Sequence, residues 1–220
     1  MSGAPAAGGF DPVLLDLDGT VIDSVALIRE SHRHAVRSVL GLDLPDAQLT
    51  RNVGRPLIEQ MRAFSEECAD ELHAVYRTWN HAHTRELLHA YPGMEDALAG
   101  LRAAGRTLGI ITSKSHDAVR LAFDVLPIEG YFDVVIAAED TKRHKPDPAP
   151  LLAALGRLGR ERNGACYVGD APFDLDAGSA AGVATIGVTW GFFSREDLAA
   201  RLPDAIVDTV PQMVDVLLGR

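Results

Sequence analysis

Apolar and polar positions follow two different patterns in the two halves of the chain. Beyond residue 92, short runs rich in β-branched residues are predicted as buried strands at 107–112, 134–137, 166–168 and 185–188. Helical spacing of apolar residues predicts helices near 94–104, 115–125, 147–158 and 173–181, with an edge strand at 205–207 and a final helix at 211–218. Strands that alternate with helices in this way are typical of a parallel, doubly wound sheet.

The first half begins with one predicted strand and then becomes helical. A short aliphatic run at 13–15 predicts the strand, and from 24 to about 90 the apolar spacing is almost entirely helical, until Pro92 and Gly93 end it. The sequence therefore predicts an α/β fold in which a doubly wound, Rossmann-like parallel sheet carries an inserted α-helical cap domain. We expect a disordered tail at 1–10, a core domain at 11–23 and 92–220, and the cap at 24–91.

Composition narrows the partners that such a fold would have. The 220 residues carry a formal net charge of −10 and form no basic stripe, so we expect neither nucleic acid nor an acidic membrane as a partner. No apolar run approaches the roughly 18 residues of a membrane-spanning helix. Cys68 and Cys166 lack metal-ligand spacing, and the chain opens without a charged and then apolar leader, so we expect a cytoplasmic protein.

Two carboxylates follow the first predicted strand, in the segment 16–20 with the sequence Asp-Leu-Asp-Gly-Thr. In open α/β sheets, ligands bind at the carboxyl ends of the strands. A turn at the glycine would give Asp16 and Asp18 different directions and therefore different roles. A calcium loop would need Gly and Glu where this chain has Val21 and Leu27. An ordinary acidic turn remains the alternative at this point.

Later predicted strands also end in polar residues. Thr112 and Ser113 follow the second strand, where a hydroxyl and helix-leading amides could hold phosphoryl oxygens, although a serine here could simply cap the next helix. Lys145 follows the third strand, in a loop where most lysines are merely solvated. The sequence therefore predicts an anion site at this edge, if these side chains converge there.

The fourth predicted strand ends at Asp170, with Asp174 four residues further on. If the first and fourth strands are neighbours, Asp16 and Asp170 face each other across a gap that suits Mg²⁺. Asp174 would be either a metal ligand or a partner that orients Lys145. Capping of the following helix is the alternative for both Asp170 and Asp174.

These four segments resemble the four ordered motifs of the haloacid dehalogenase superfamily, in its capped phosphatase branch. The resemblance extends from Val13 to the end of the chain and includes the helical insertion after the first motif. More narrowly, the chain resembles the phosphoglycolate phosphatases and inorganic pyrophosphatases with a helical cap. The segments 188–191 and 194–196 are also similar to that group.

The resemblance implies a role for each residue. Asp16 would be the nucleophile that forms an aspartyl-phosphate, and Asp18 would act first as a general acid and then as a general base. Mg²⁺ would be bound by the Asp16 carboxylate, the Asp18 main-chain carbonyl and Asp170. Thr112, Lys145 and the Ser113 amide would stabilise the transferring group. The implied substrate is a small phosphorylated metabolite, a phosphomonoester such as phosphoglycolate or a sugar phosphate.

Other functions of the superfamily remain to be weighed. Inorganic pyrophosphate is not separated from a phosphomonoester by the sequence. A β-phosphoglucomutase-like activity is disfavoured because Ile28 stands where such mutases carry a histidine. Phosphonate hydrolysis would need a cap lysine, which the segment 24–90 lacks, and dehalogenation does not need Asp18. A catalytically silent binding protein would have no chemical need for both Asp16 and Asp18.

Within the predicted cap, Arg55 is the candidate for substrate contact. It lies in the segment 52–56, which resembles the substrate-specificity loop of these relatives, and could reach an anionic tail. His81 and His83 are two residues apart and would face opposite ways on a helix, so we assign them no chemistry. His32 and His34 are interpreted as surface or cap-core residues. We expect either a monomer or a homodimer, because the sequence does not distinguish the two.

Overall fold

The computed structural model describes residues 8–220, which form eight strands and ten α-helices. In chain order these elements are β1 (Val13–Leu15), β2 (Ile22–Asp23), α1 (Val25–Leu40), α2 (Asp46–Thr50), α3 (Leu57–Phe64), α4 (Ala69–Leu87), β3 (His89–Ala90), α5 (Met94–Ala103), β4 (Leu108–Ile111), α6 (His116–Val125), β5 (Val134–Ile136), α7 (Ala149–Leu158), β6 (Cys166–Gly169), α8 (Pro172–Ala181), β7 (Ala184–Val188), α9 (Arg195–Ala199), β8 (Ala205–Val207) and α10 (Val210–Leu218). The predicted strands and helices of the second half are all present, with ends shifted by a few residues.

Six strands form one parallel sheet in the order β5-β4-β1-β6-β7-β8. Strand β1 lies at its centre, and Leu15 pairs with Ile110 of β4 and with Val168 of β6. The first and fourth strands of the sheet in chain order are therefore neighbours. Because all the strands point the same way, the residues that follow β1, β4 and β6 meet at one edge of the sheet.

Side chains of β1 alternate between two hydrophobic layers. Val13 and Leu15 pack in the layer that contains α5, α6 and α10, whereas Leu14 packs in the layer that contains α7 and α8. All three side chains are fully buried, which explains why the strand is an unbroken aliphatic run. Helices on both faces of a parallel sheet confirm the predicted doubly wound, Rossmann-like α/β fold.

Helices α1 to α4 form the predicted helical insertion and have a hydrophobic core of their own. Ala35 and Val36 of α1, Met61 of α3, and Leu72 and Tyr76 of α4 pack together in it. The insertion covers the carboxyl edge of the sheet, because residues of both line the same cavity. The division into domains at residues 24 and 91 remains a prediction.

Two elements differ from the sequence-based expectation. Residues 89–90 were predicted at the end of the helical block, but they pair antiparallel with β2, with Ile22 opposite Ala90. The two chain segments that enter and leave the insertion lie side by side, so their backbones hydrogen-bond to each other. Helix α9 was not predicted, although the Ser194 hydroxyl accepts from the Asp197 amide and the Asp197 carboxylate accepts from the Ser194 amide.

The amino-terminal segment joins the core before β1. Residues 1–7 of the predicted disordered tail lie outside the described residues, but Phe10 is buried and its amide donates to the carbonyl of Leu217 at 2.9 Å. Phe10 is therefore part of the packed core. Among residues 8–220, no helix combines the length and apolar character needed to cross a membrane.

Candidate active site

Lys145 lies at the centre of a buried polar network under the insertion. Its Nζ donates to Asp16 Oδ1 at 2.7 Å, to Asp174 Oδ1 at 2.7 Å and to the Tyr167 hydroxyl at 3.2 Å. These contacts occupy the three donors of the ammonium group. The side chain is only 1% exposed, so the solvated alternative for this lysine is wrong.

Asp16 and Asp174 are held from both sides. The Asp16 amide donates to the Val168 carbonyl at 2.9 Å, which fixes the aspartate between β1 and β6. Asp174 Oδ2 accepts from the Ala171 amide at 3.0 Å, at the start of α8. Asp174 therefore caps this helix with one oxygen and orients Lys145 with the other, as two of its three sequence-based interpretations predict, whereas its role as a metal ligand stays a prediction.

Asp170 is fixed by different partners. Its Oδ1 accepts from the Thr20 hydroxyl at 3.2 Å, and its Oδ2 accepts from the Phe192 amide at 2.7 Å. A Cβ atom at Gly191 would overlap this carboxylate, which explains why the neighbouring loop carries glycine there. The sequence did not single out Tyr167, and it indicated Gly191 only as part of the segment 188–191, because only tertiary packing brings the two residues to this edge.

Three carboxylates share this small volume with one ammonium group. Oxygen atoms of Asp16, Asp170 and Asp174 all lie within 4.8 Å of one another. Burial raises the pKa of Asp16 to about 7, with repulsion from Asp174 adding to it and Lys145 opposing it. Burial and repulsion from Asp174 and Asp16 also raise the pKa of Asp170 well above its usual value. A divalent cation would relieve this repulsion, and carboxylate oxygens are the ligands that hard cations prefer. The site therefore fits a divalent metal.

Asp18 forms an ion pair with Lys114, a lysine to which the sequence assigned no role. Lys114 Nζ donates to both of its carboxylate oxygens, at 2.8 and 2.9 Å. The two side chains are only 12% and 14% exposed and both line the cavity. The turn after Asp16 therefore does give the two acids different partners, Lys145 for Asp16 and Lys114 for Asp18.

The segment after β4 joins the sheet to the insertion. Thr112 is buried and lines the cavity, and its hydroxyl accepts from the Lys114 amide at 3.1 Å. Ser113 Oγ donates to the carbonyl of Gly54 at 2.6 Å, which ties this segment to the insertion. Ser115 is the residue that caps α6, since it accepts from the Ala118 amide. Helix capping is thus the role of Ser115 and not of Ser113.

A cavity of about 360 Å³ lies between the strand ends and the insertion. Asp16, Asp18, Lys145 and Asp170 line one wall, and Arg55 lines the other. The Arg55 guanidinium lies 4.8 Å above the Phe173 ring of α8 and 3.9 Å from Glu59. Ile28 also faces the cavity, so this position presents an aliphatic surface and no titratable group.

Helix α4 contributes cavity-lining residues that the sequence analysis missed. His73, Tyr76, Arg77, Asn80 and His81 all line the cavity. Basic residues at positions 73, 77 and 81 are four residues apart, and this spacing in the sequence could have predicted that they share one face of the helix.

The other histidines of the insertion lie away from the cavity. His83 stacks on Trp79 with ring centroids 3.8 Å apart, so it does face away from His81. His32 is fully buried in the core of the insertion, between Phe64 and Tyr76. His34 is exposed. No further histidine role follows from these positions.

Comparison with known proteins identifies the family. The family model described as haloacid dehalogenase-like hydrolase matches residues 13–188. The chain belongs to the haloacid dehalogenase-like hydrolases. The matched segment contains all four of the ordered motifs, including the insertion between the first and the second.

Curated relatives of this family are similar over nearly their whole length. Pyrophosphatase PpaX of Bacillus velezensis is 34% identical over 204 residues, which cover 93% of this chain and 94% of that protein. Pyrophosphatase PpaX of Anoxybacillus flavithermus is 32% identical over 208 residues, which cover 94% and 97%. The chain described here is therefore a phosphatase of the haloacid dehalogenase-like hydrolase family.

Solved structures show the same fold. A protein of Clostridium acetobutylicum, named as a predicted phosphatase, has a TM-score of 0.86 at 26% identity and covers 96% of this chain and 99% of its own. A protein of Haemophilus somnus, named as a predicted phosphoglycolate phosphatase, also has a TM-score of 0.86, at 21% identity, and covers 94% and 97%. At that lower identity the likeness concerns the fold alone.

Proposed function

We propose that this haloacid dehalogenase-like hydrolase is a Mg²⁺-dependent phosphatase that hydrolyses a small phosphomonoester by way of a phosphoryl group carried on Asp16. The convergence of Asp16, Lys145 and Asp170 at one strand edge, inside a covered cavity, is the observation that supports this function best. Beyond the phosphatase activity of the family, this function specifies the nucleophile, the metal and the class of substrate.

The first step is attack by Asp16 on phosphorus. Lys145 holds Asp16 Oδ1, which leaves Oδ2 to form the new bond to phosphorus while the bond from phosphorus to the leaving oxygen breaks. For this step Asp18 must be protonated, with one of its oxygens released from Lys114, and it then gives its proton to the leaving oxygen. General-acid catalysis of this kind is typically worth about 10²–10⁴-fold in rate. The product alcohol leaves with the proton from Asp18, and the phosphoryl group remains on Asp16.

The second step returns the enzyme to its starting state. A water molecule attacks phosphorus, Asp18 takes a proton from that water, and the bond between Asp16 and phosphorus breaks. Lys114, which holds both oxygens of Asp18, keeps this carboxylate next to the cavity. Inorganic phosphate is released, and both aspartates regain their original charge.

Charge stabilisation comes from groups at the same edge. Mg²⁺ held by Asp16, the Asp18 main-chain carbonyl and Asp170 would supply positive charge that offsets repulsion between Asp16 and an anionic substrate.

Lys145, the Thr112 hydroxyl and the Ser113 amide would stabilise the charge that spreads over the transferring oxygens. Asp174 supports this set by orienting Lys145.

The test combines one substitution with metal removal. Asp16→Asn should abolish phosphate release from phosphoglycolate in the presence of Mg²⁺ without changing the melting temperature by more than the control. Asp215→Asn, at an exposed position of α10, is that control and should retain full activity. EDTA should remove the activity of the unchanged protein, and Mg²⁺ should restore it. Near-normal turnover by Asp16→Asn, or full activity in EDTA, would contradict the proposal.

Inorganic pyrophosphate is the second candidate substrate. The curated relatives at 34% and 32% identity are named as pyrophosphatases, which is the observation that favours it. A panel of phosphoglycolate, a sugar phosphate and pyrophosphate at one Mg²⁺ concentration separates the candidates by kcat/KM, because discrimination between substrates resides in that ratio. A clear excess for pyrophosphate would assign the second candidate.

A further inference from the structure

Helix α4 presents a row of basic side chains to the cavity, opposite the acidic strand edge. We infer that Arg77, flanked by His73 and His81, binds a second anionic group of the substrate, so that the leaving group of the phosphate ester carries a carboxylate or a phosphate. This inference rests on the proposed phosphatase function and adds the chemistry of the substrate tail to it.

The spacing of these residues places them on one face of the helix. Residues four apart are neighbours on a helix surface, so His73 and His81 lie on either side of Arg77, and all three line the cavity. Burial and the charge of Arg77 lower the pKa of His73, and the same two causes lower the pKa of His81. Arg77 is therefore close to both rings and carries the permanent charge of the row.

In the part of the chain that the structure describes, Arg77 has no carboxylate partner, in contrast to Arg33 and Arg157. Arg33 pairs with Asp46 at 2.6 Å and Arg157 pairs with Asp140 at 2.6 Å, as expected in a chain with a net charge of −10. Within residues 8–220, no carboxylate lies within ion-pair distance of Arg77. Glu139 lines the cavity too, but it accepts from the amide of His116 at 3.0 Å. The guanidinium is thus available to an anion in the cavity.

The cavity is large enough for a substrate that has a tail beyond its transferring phosphoryl group. Its 360 Å³ lies at the lower end of the roughly 300–1,000 Å³ that enclose small organic ligands. The transferring phosphoryl group belongs at the strand edge, beside Asp16 and Lys145. Remaining space lies against α4, where a planar guanidinium can bind a carboxylate or phosphate through two parallel hydrogen bonds.

The experiment compares two esters of the same chain length, one with a charged tail and one with a neutral tail. Phosphoglycolate ends in a carboxylate, whereas 2-hydroxyethyl phosphate has the same chain length and a neutral hydroxyl. Both are assayed with Mg²⁺ on the unchanged protein, on Arg77→Gln and on Arg85→Gln. Arg85 is the matched control, because it is an exposed arginine of the same helix that does not line the cavity.

The unchanged protein should prefer phosphoglycolate in kcat/KM. Arg77→Gln should lower kcat/KM for phosphoglycolate by roughly 10–100-fold, mainly through a higher KM, because a hydrogen bond to a charged group is lost. The neutral ester should be hydrolysed as before, and Arg85→Gln should change neither substrate. Equal circular dichroism spectra and melting temperatures of the three proteins would show that the fold is unaffected.

Two results would overturn the inference while leaving the phosphatase function in place. One is an equal loss for both esters in Arg77→Gln, and the other is an Arg77→Gln protein that behaves like Arg85→Gln on phosphoglycolate. Absence of Mg²⁺-dependent phosphate release from every compound by the unchanged protein would contradict the proposed function itself. The two failures are therefore distinguishable.

Discussion

The two walls of the cavity hold their charged groups in different ways. On the sheet side, Asp16 and Asp174 are buried, and each accepts a hydrogen bond from the buried Lys145 at 2.7 Å. On the helical side, Arg77 and His81 are exposed, and in the part of the chain that the structure describes neither forms an ion pair. The hydrogen bonds of the sheet wall preorganise its charged groups, which suits bond-making chemistry, whereas the charged groups of the helical wall are left for the substrate tail.

This difference follows from how each wall is built. Residues of the sheet wall follow parallel strands whose register is fixed by buried aliphatic side chains on both faces. Residues of the helical wall lie on a helix whose opposite face packs into a separate core with Met61 and Leu72. Substitutions in the two walls should therefore have different effects, and their sizes can be ranked.

The largest effect is expected for Lys145→Met. Removing the ammonium leaves Asp16 and Asp174 buried without their shared cation, which should cost about 3–5 kcal/mol in the free energy of unfolding and abolish turnover. Urea denaturation and a phosphate-release assay measure the two losses. Lys142→Met, at an exposed position three residues away, is the control and should change neither. Unchanged stability of Lys145→Met would contradict a preorganised sheet wall.

A pH-dependent effect is expected from the core beneath the helical wall. Burial lowers the pKa of His32 to about 3, and neither ring nitrogen has a hydrogen-bond partner among the described residues. The unfolded chain binds a proton here below about pH 6.5 and the folded chain does not. This contribution to stability is complete above about pH 6.5 and is lost by about 1.4 kcal/mol per pH unit as the pH falls toward 3.

Chemical denaturation at a series of pH values measures that slope. His32→Leu should remove this part of the pH dependence, so that the difference between the two proteins changes steadily below pH 6.5 and is constant above it. A constant difference at every pH would show that His32 does not differ in protonation between the folded and unfolded chains.

The smallest effect is expected for Ser113→Ala. The substitution removes the hydrogen bond from Ser113 to the Gly54 carbonyl, which joins the two walls, and should raise KM with a stability loss of about 1 kcal/mol. Thr209→Ala removes the side-chain cap of α10, which lies outside the cavity lining, and should cost about 1 kcal/mol without changing KM. Steady-state kinetics and thermal melting of both variants test this contrast. If both substitutions changed KM equally, the hydrogen bond of Ser113 between the two walls would have no specific effect on substrate binding.

The sheet wall could be predicted from the sequence far better than the helical wall. Aliphatic runs predicted the strands, and polar residues at the strand ends predicted the convergence of Asp16, Lys145 and Asp170, because parallel strands share one edge. The contacts of Tyr167 and Lys114 were missed. Tyr167 contacts Lys145 and Lys114 contacts Asp18. Both partners are distant in sequence, so local sequence patterns cannot predict these contacts.

On the helical side, periodicity predicted the helices but not which face of α4 meets the sheet. That face is set by packing of Leu72 and Tyr76 against α1 and α3, which is a tertiary property. The antiparallel pairing of residues 22–23 with 89–90 was missed for the same reason, since it depends on where the insertion leaves and re-enters the sheet domain. Assignment of substrate choice to Arg77 therefore needed the structure.

Covalent catalysis by the sheet wall is the central claim of this account, and the stereochemical course at phosphorus tests it most directly. The measurement uses a substrate ester whose transferring thiophosphoryl group is made chiral with oxygen isotopes, hydrolysed in isotopically labelled water. Attack by Asp16 followed by attack by water gives two inversions, so the account predicts net retention of configuration. Net inversion would mean a single direct attack by water and would contradict a phosphoryl group carried on Asp16.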